Sequence, residues 1–527
     1  MNQRLFFWSL TSALAGFLFG FDTVVISGAE KPIQSLWELS SAEHGLALSM
    51  ALWGTVIGSL IGGWPTDKFG RTKTLLWIGI LYVISAVWSA LATDVYSFMI
   101  ARFIGGLGVG ISTVAAPLYI SEISPPGLRG RLAGMFQFNI VLGILVAFLS
   151  NALLGKVGEN AWRWMMGVEA FPAVLYSVLC LTLPESPRWL ISSKGEREAG
   201  LDVLRKINTD ASEEEITRLA NEITAAGEAS EKVTHGFWSS KLRIPIMLAF
   251  LVAFFNQLSG INAILYFAPR IFGLTGLDQQ AALLQSVGIG VTNLVFTFVG
   301  LYLIDRLGRK TLLFIGAIGY IVSLGLCSYT FFANAPEFKV ASSAIEVVGV
   351  VEKMEQSQEP ETYNEDLSKA RQGFADSFSS DYRGEAFTVP QDSSPSVLKL
   401  IAKKAVANAS AASSPAGMIV LLCIFGFIAA HAVGQGAVIW VLISEIFPNK
   451  YRAAGQSLGS FTHWIFAALL TLVFPWMVTY FAPGYVFGFF CFMMVLELIW
   501  VIFMVPETKG VPLEQLQEQL GVRDAAG

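Results

Sequence analysis

The chain has 527 residues, of which 54% are hydrophobic and only 14% are charged, and its formal net charge is −5. Soluble globular proteins carry about 25% charged residues, so this composition excludes most soluble classes of protein. The sequence also offers no basic stripe for a nucleic-acid partner. Its four cysteines lie in apolar stretches without the spacing of a disulfide framework or a metal site.

Apolar stretches long enough to cross a membrane occur twelve times. One helical crossing of a hydrocarbon core roughly 30 Å thick needs about 20 mostly apolar residues. The stretches lie near residues 5–27, 45–64, 74–92, 96–120, 132–154, 164–183, 245–272, 282–303, 311–333, 417–442, 454–479 and 483–505. The first begins at Leu5 with no cleavable signal pattern after it, which indicates a retained span. The sequence therefore predicts an all-α membrane protein with twelve transmembrane helices.

Positive charges are concentrated in alternate loops between these spans. Lysines and arginines follow spans two, four, eight and ten, whereas the other loops hold fewer, with Lys31, Lys156 and Arg163 as the main exceptions. Since loops rich in lysine and arginine stay in the cytoplasm, both termini are predicted to be cytoplasmic. The end of the bundle with these loops is called the predicted cytoplasmic end, and the other is called the opposite end.

Charged motifs of the first half of the chain return in the second half. The matching segments are 67–71 and 305–309, 121–123 and 444–446, and 184–186 and 506–508. Each segment lies at the same end of the corresponding helix, which indicates a duplicated six-helix unit. Two parallel halves of this kind place a substrate site between them, near the middle of the bilayer.

The duplication divides the chain into five parts. They are an N-terminal six-helix bundle at 1–183, a cytoplasmic linker at 184–244, a C-terminal six-helix bundle at 245–333 and 417–505, an insertion at 334–416 on the opposite side, and a cytoplasmic tail at 506–527. Charged and apolar residues alternate at helical spacing in the linker, which predicts short amphipathic helices. The insertion is polar and mildly acidic, and predicts either a flexible loop or a small domain. Within it, Val340–Val351 has strand-like character.

Acids and arginines gather at the predicted cytoplasmic end. They are Asp67, Arg71, Glu122, Arg129 and Arg131 in the first half, and Asp305, Arg309, Glu445 and Arg452 in the second. Ion pairs there can lock the halves together while the substrate site faces outward, and break when it opens inward. The alternative is that these charges only set topology, since exposed pairs contribute roughly 0–1 kcal/mol. Because acids recur beside the arginines in both halves, a cytoplasmic gate is favoured.

One carboxylate interrupts the first span. Asp22 lies deep in this apolar stretch, where an ionised acid costs at least about 2.5–3.5 kcal/mol, so it is expected to face the interior and a partner. Arg102, early in span four, is the candidate partner. A purely structural ion pair is the alternative to a functional one.

Several motifs together resemble one transporter family. Gly63–Arg71 is similar to the signature loop of the major facilitator superfamily. Pro184–Leu190, Pro506–Gly510 and Gln257–Asn262 resemble its sugar porter branch, which contains bacterial sugar/proton symporters and animal facilitative glucose transporters. The resemblance covers nearly the whole chain except the 334–416 insertion. It implies two pseudo-symmetric six-helix bundles around a central cavity, and carriage of a hexose or pentose by alternating access, with no covalent chemistry, cofactor or metal.

The resemblance also implies what drives the transport. In the proton-coupled sugar porters, an acid matching Asp22 beside an arginine matching Arg102 binds the transported proton, whereas facilitative relatives typically have asparagine at the acid's position. Proton symport across the plasma membrane, which is the inner membrane in bacteria, is therefore expected. The chain is expected to act as a monomer.

Seven residues match the family's sugar-contacting positions. They are Gln137, Asn256, Gln257, Asn262, Asn293, Trp440 and His463. Amides supply hydrogen bonds to hydroxyl groups, and a tryptophan stacks on the sugar ring. Asn256 stands where many relatives have glutamine, and His463 stands where they have asparagine or glutamine, so the particular sugar is not implied. For the amides, hydrogen bonding between helices, at about 0.6 kcal/mol each on average, is the alternative.

Two other functions stay open on the sequence. The first is uncoupled sugar diffusion, against which Asp22 argues. The second is a sugar sensor that binds its ligand without moving it. Sensors of this fold usually carry long cytoplasmic tails, whereas here the tail comprises only 506–527.

Overall fold

All regular secondary structure in the part of the chain that the computed structural model describes is helical. The structure describes residues 3–521 apart from 126–127, 159, 210, 231–236, 357–358, 386, 391, 449–450, 512–514 and 517–518. Within those residues there is no β-strand. The protein is an all-α membrane protein with two six-helix bundles. Additional short helices join the bundles or follow them.

The first half of the chain contains eight helices. They are α1 Gln3–Leu36, α2 Ser41–Ile61, α3 Gly63–Phe69, α4 Arg71–Leu91, α5 Val95–Ile123, α6 Arg129–Leu154, α7 Ala161–Gly167 and α8 Ala170–Cys180. The linker that follows forms α9 Pro187–Ser192, α10 Arg197–Ile207 and α11 Glu213–Ser230. Apolar side chains of these three linker helices pack together in a small cluster of their own around Leu201, Leu204 and Ile216.

The second half contains the remaining helices. They are α12 Arg243–Leu258, α13 Ile261–Tyr266, α14 Ala268–Gly273, α15 Gln279–Leu307, α16 Arg309–Ala333, α17 Ala335–Gln356, α18 Asn364–Ala375, α19 Pro395–Ala412, α20 Ala416–Val433, α21 Gln435–Ile446, α22 Arg452–Tyr480 and α23 Pro483–Met504. Short 3₁₀ helices cover Ser240–Leu242 and Pro360–Tyr363.

Eleven segments of the described chain are long and apolar enough to cross a membrane. The remaining predicted crossing, span six, is formed by α7 and α8 in succession, and neither is long enough on its own. Spans seven and ten are each divided as well, into α12 and α13 and into α20 and α21. In span seven the division falls at Gly260, whose φ of +89° is readily adopted only by glycine. Such divided helices supply substrate-binding groups in many transporters.

A repeated glycine–glutamate arrangement starts α4 and α16. Gly70 and Gly308 precede these helices with φ of +100° and +93°, and a Cβ at either would clash with a carboxylate. Glu185 accepts hydrogen bonds from the first two backbone N–H groups of α4, at 2.9 Å from the nitrogen of Arg71. Glu507 binds the start of α16 in the same way. An acid at a helix N-terminus satisfies otherwise unpaired donors and offsets the helix dipole.

The two halves pack against each other along two pairs of helices. In one pair, α2 lies against α22, and Gly45 is so close to the backbone of Leu472 that a Cβ would not fit. In the other, α6 lies against α15, where Phe138 and Phe298 have ring centroids 5.5 Å apart. The interface between the halves therefore runs through the middle of the molecule, lined by helices of both.

The insertion is a small helical unit with its own apolar core. Helix α17 packs against α18 and α19. The strand-like interpretation of Val340–Val351 is wrong, because this segment lies within α17. Its buried residues include Val340, Ala344, Val347 and Val351, which recur at helical spacing. The run of valines suggested a strand, but the burial of one helical face outweighed their local preference.

Candidate functional site

The structure brings Asp22 and Arg102 into direct contact. Asp22 lies in α1 and Arg102 in α5, and each is 1% exposed. The Nη1 atom of Arg102 is 2.5 Å from Oδ1 of Asp22, and its Nη2 atom donates to the backbone oxygen of Asp22 at 3.0 Å. The guanidinium thus binds both the side chain and the backbone of α1. A charge-assisted pair of this kind fixes the acid's orientation as well as its charge.

Glu169 is a second acid beside this pair, which sequence reasoning missed. It lies between α7 and α8, is 1% exposed, and interacts electrostatically with both Asp22 and Arg102. Its Oε1 atom has no hydrogen-bond partner. Two acids therefore share one guanidinium, so if both are ionised a negative charge stays buried without compensation. The signal in the sequence was the same as for Asp22, namely a single acid inside an apolar span.

A tyrosine of the second half reaches the same group. Tyr266 is the last residue of α13, is buried, and interacts electrostatically with Arg102 and Asp22. The Asp22–Arg102 pair belongs entirely to the first half, whereas Tyr266 belongs to the second. Their interaction therefore puts the pair at the interface between the halves.

Four of the predicted sugar-contacting residues form one hydrogen-bonded network. Gln257 donates from Nε2 to Oδ1 of Asn256 at 2.9 Å and accepts from Nδ2 of Asn262 at 2.7 Å. The same Nε2 atom lies 3.1 Å from either ring nitrogen of His463. The turn at Gly260 lets α12 and α13 present these amides to one another. Both ends of the Gln257 amide are therefore engaged, between two parts of span seven and α22.

Aromatic rings continue this network. The ring of His463 lies 5.3 Å from that of Trp440 and 4.7 Å from that of Trp464, measured between centroids. Trp440 is half-buried, and its backbone oxygen accepts a hydrogen bond from Gln456 of α22. Phe19 of α1 contacts Trp464 at 5.5 Å. Through this last contact the aromatic group joins the two halves.

Gln137 and Asn293 are not part of the network. Gln137 lies on α6 and Asn293 on α15, the two helices that pack across the interface. In the described part of the chain neither makes a side-chain hydrogen bond with the Gln257 group. Their predicted contact with sugar stays a prediction.

The acids and arginines at the predicted cytoplasmic end pair within each half. Arg71 binds Glu122 through two hydrogen bonds, of 2.8 and 2.9 Å, and its Nη1 atom is 3.2 Å from Asp67. In the second half Arg309 binds Glu445 at 2.8 Å and Asp305 at 3.3 Å. The two sets have matching geometry, as expected from the duplication.

The other predicted members of the cytoplasmic gate are placed differently. Arg131 is exposed, and Arg452 is half-buried with its Nε atom lacking a hydrogen-bond partner. The side chain of Arg129 lies outside the described residues.

An ion pair between the halves lies at the opposite end. Glu30 of α1 is 1% exposed and binds Arg270 of α14, whose Nη2 atom is 2.6 Å from the Glu30 carboxylate. His44 of α2 lies 3.0 Å from the same carboxylate, and Gln34 accepts from Arg270 at 2.5 Å. Sequence reasoning missed this group, because Glu30 and Arg270 lie near the ends of their apolar spans, where charged residues are common.

Comparison with known proteins points to a single family. The chain matches the family model described as "Sugar (and other) transporter" over residues 8–351 and 396–520. It is 30% identical to the arabinose-proton symporter of Bacillus subtilis, covering 97% of this chain and 94% of that protein. It is 29% identical to the D-xylose-proton symporter of Escherichia coli, covering 98% and 96%. The inward open structure of the xylose transporter XylE from E. coli matches with a TM-score of 0.70 and 28% identity, covering 98% of this chain and 99% of that one.

Proposed function

The chain belongs to the sugar transporter family, and from that premise we propose that it carries a monosaccharide, a hexose or a pentose, together with a proton. The observation that carries the proposal is the buried Asp22–Arg102 pair, which lies against α13, the helix that also holds Asn262. Support also comes from relatives that are named arabinose-proton and D-xylose-proton symporters.

The first step is proton binding at Asp22. Arg102 stabilises the ionised carboxylate, whereas burial away from water favours the neutral acid. When Asp22 takes up a proton, its attraction for the guanidinium falls, and Glu169 remains nearby as an alternative partner for Arg102. The bundle then holds one ionised acid and one arginine, so no net charge from this group has to cross the membrane.

The second step is sugar binding between the halves. A sugar hydroxyl can take the place of any partner of the Gln257 amide, because a hydroxyl both donates and accepts hydrogen bonds. Trp440 offers an apolar face to the C–H surface of the ring. The network around Gln257 then exchanges bonds between protein groups for bonds to sugar, at little cost in unpaired polar atoms.

Helix α13 couples the two steps. It is six residues long, with Asn262 near its start and Tyr266 at its end. A change in the charge of the Asp22–Arg102 pair acts on Tyr266, and the position of α13 determines where Asn262 meets the sugar. Proton and sugar occupancy therefore bias the same short helix, which is the condition for coupling between two sites.

The charged groups at both ends belong to this cycle. Breaking the Glu30–Arg270 contact is required before the opposite end can open, because it joins α1 to α14. At the predicted cytoplasmic end, the Arg71–Glu122 and Arg309–Glu445 pairs hold the helix ends that would form a gate. The lysines and arginines of the same loops support cytoplasmic termini. A single chain contains both halves, so a monomer suffices for transport.

The decisive experiment compares two kinds of transport in the same vesicles. Asp22→Asn should abolish sugar accumulation driven by a pH gradient, while exchange of labelled for unlabelled sugar persists, because the amide mimics a permanently protonated acid. Asp94→Asn is the matched control. Asp94 caps the N-terminus of α5, where asparagine serves equally well, so accumulation should be unchanged.

Two results would contradict the proposal. Wild-type accumulation by Asp22→Asn would put the proton site elsewhere. Loss of both accumulation and exchange in a correctly inserted protein would make the Asp22–Arg102 contact a structural ion pair.

A panel of hexoses and pentoses competing for uptake by the wild-type protein would identify the sugar.

A further inference from the structure

The C-terminal bundle contains a further buried acid, which has no role in the cycle described so far. Glu497 is in the second half of α23, the last membrane-crossing helix described, and is 0% exposed. It makes no ion pair with a lysine or arginine in the described part of the chain, unlike Asp22 and Glu30. An ionised acid without a cation is unfavourable at this depth, so such residues usually mark a functional site.

The contacts of Glu497 are incomplete in a specific way. Gln435 donates from Nε2 to Oε1 of Glu497 at 2.5 Å. The other carboxylate oxygen of Glu497 and the amide oxygen of Gln435 are both buried without a partner. Both atoms are acceptors, so neither can satisfy the other while the acid is ionised. One proton on Glu497 supplies the missing donor, since a carboxylic acid and a carboxamide can exchange two hydrogen bonds.

The groups around Glu497 do not compensate a negative charge. Tyr320 of α16 interacts with it electrostatically and is hydrogen-bonded to His431 of α20 at 2.6 Å. Phe255 of α12 packs on Trp500 of α23, with the two ring centroids 5.7 Å apart. The indole N–H of Trp500, one turn along α23, also has no hydrogen-bond partner.

More distant charged or titratable groups lie on either side of Glu497. Lys310 of α16 binds the backbone oxygen of Ile502, more than a turn away toward the predicted cytoplasmic end. His463 of α22 interacts electrostatically with His431, and so connects this region to the Gln257 network. The surroundings are therefore polar on the side of the sugar network and apolar elsewhere.

Gln435 connects Glu497 to the sugar-contacting residues. It is the first residue of α21, and Trp440 lies on the same helix. The Glu497–Gln435 contact thus holds the start of α21 against α23. This arrangement parallels the first site, where an acid acts on Tyr266 of α13, the second part of divided span seven.

We propose that Glu497 and Gln435 form a second proton-binding site, in the C-terminal bundle, which holds its proton while α21 packs against α23 and releases it when α21 moves away. The proton comes from bulk water and returns to it, and no other covalent bond changes. This inference rests on proton-coupled transport, but it concerns a residue that the coupling at Asp22 does not involve.

Infrared difference spectroscopy on the full-length protein in lipid nanodiscs tests the proposal. Spectra of wild type and Glu497→Gln are compared over a pH titration, and the carbonyl stretch of a protonated buried acid is followed. Wild type should show a carboxylic acid band that disappears as pH rises, and Glu497→Gln should lack it. The glutamine keeps a two-bond pairing with Gln435, so this variant is expected to fold.

Controls separate this site from the acids of the first half. The comparison is repeated in the Asp22→Asn/Glu169→Gln background, where the Glu497 band should remain; its presence does not depend on whether Asp22 binds the transported proton. Gln435→Leu should move the midpoint of the titration. If Glu497→Gln fails to fold, Glu497→Asp serves instead, and should keep a titrating band at a shifted frequency.

Two results would overturn the proposal. Identical spectra for wild type and Glu497→Gln would mean that Glu497 is ionised throughout. A Glu497 band of constant intensity over the whole pH range in which the protein stays folded would mean that the acid is permanently neutral, and that its role is structural.

Discussion

The two ends of the molecule use ion pairs in different ways. At the predicted cytoplasmic end, Arg71–Glu122 and Arg309–Glu445 each connect helices of one half. At the opposite end, Glu30–Arg270 connects α1 of the first half to α14 of the second. A pair within one half moves with that half as a rigid body. A pair between the halves has to break whenever they separate, so only the latter directly favours one conformation over another.

Burial makes this difference larger. The Glu30 side chain is 1% exposed and shared between Arg270 and His44, whereas Glu122 is 8% exposed and Glu445 is 29% exposed. Removing one partner of a buried pair leaves an uncompensated charge and costs about 3–5 kcal/mol, whereas an exposed pair contributes roughly 0–1 kcal/mol. We therefore expect the balance between conformations to be most sensitive to the opposite end.

The largest effect is expected for Glu30→Gln. Arg270 loses its carboxylate, and the closed arrangement of the opposite end is destabilised by about 3 kcal/mol, or more than a hundredfold in population. Glu38 and Tyr480 are exposed positions of the two halves at that end. The distance between spin labels at these two positions, measured by double electron–electron resonance, should be longer in Glu30→Gln than in wild type. Glu43→Gln, an exposed acid bonded only to Ser40, is the matched control and should leave the distance unchanged.

A pair within one half should give the reverse pattern. Glu122→Gln replaces the carboxylate that binds Arg71 with a neutral amide that keeps a single acceptor oxygen, at an expected cost of about 1.5–3 kcal/mol. Thermal stability of the purified protein should fall, while the distance between the labels at the opposite end stays the same. A changed distance would mean that the two ends are coupled through the first half.

The middle of the molecule should respond independently of both ends. Gln257→Ala leaves Asn262 and Asn256 without their partner and removes a hydrogen-bonding group for sugar, a loss of about 1–3 kcal/mol. Sugar affinity, measured by calorimetry, should fall at least about fivefold. Unchanged affinity in a folded protein would remove Gln257 from the sugar site.

The two halves of the predicted cytoplasmic end can be compared directly. Glu445→Gln should cost less than Glu122→Gln, about 1 kcal/mol, because Glu445 is partly exposed and its pair is screened by water. Thr508 also donates to Glu445 and can still bind the amide that replaces it. A thermal shift as large as that of Glu122→Gln would show that exposure does not decide the contribution of these pairs.

The smallest effect is expected in the insertion. Burial raises the pKa of Glu337, but hydrogen bonding to Arg383 outweighs it and lowers the pKa below its usual value. A lowered pKa stabilises the folded unit above the usual glutamate pKa of about 4.3, and this contribution is lost as pH falls below it. The protection factor of α17 against hydrogen exchange should therefore decrease as pH falls through that range, and should decrease less in Glu337→Gln. A protection factor that does not change with pH would exclude this contribution.

The sequence predicted the fold well because its evidence is local. The length and hydropathy of each span, and the recurrence of charged motifs in two halves, are properties of short segments that need no partner. Asp22 was identifiable for the same reason, since an acid inside an apolar span is unfavourable whatever lies next to it. By that reasoning Glu169 and Glu497 were also identifiable, and were overlooked.

Only the tertiary structure decided which charges meet. The partner of Glu30 is 240 positions away in the chain, on the other half of the protein, and nothing in either segment indicates the contact. Whether two such residues meet depends on the rotation of each helix about its axis and on their depth in the bundle. The helix α17 is similar, because the valines of Val340–Val351 favour a strand and burial of one helical face against α18 and α19 outweighs that preference. Hydrophobic length is set by each segment alone, whereas pairing and packing are set by all of them together.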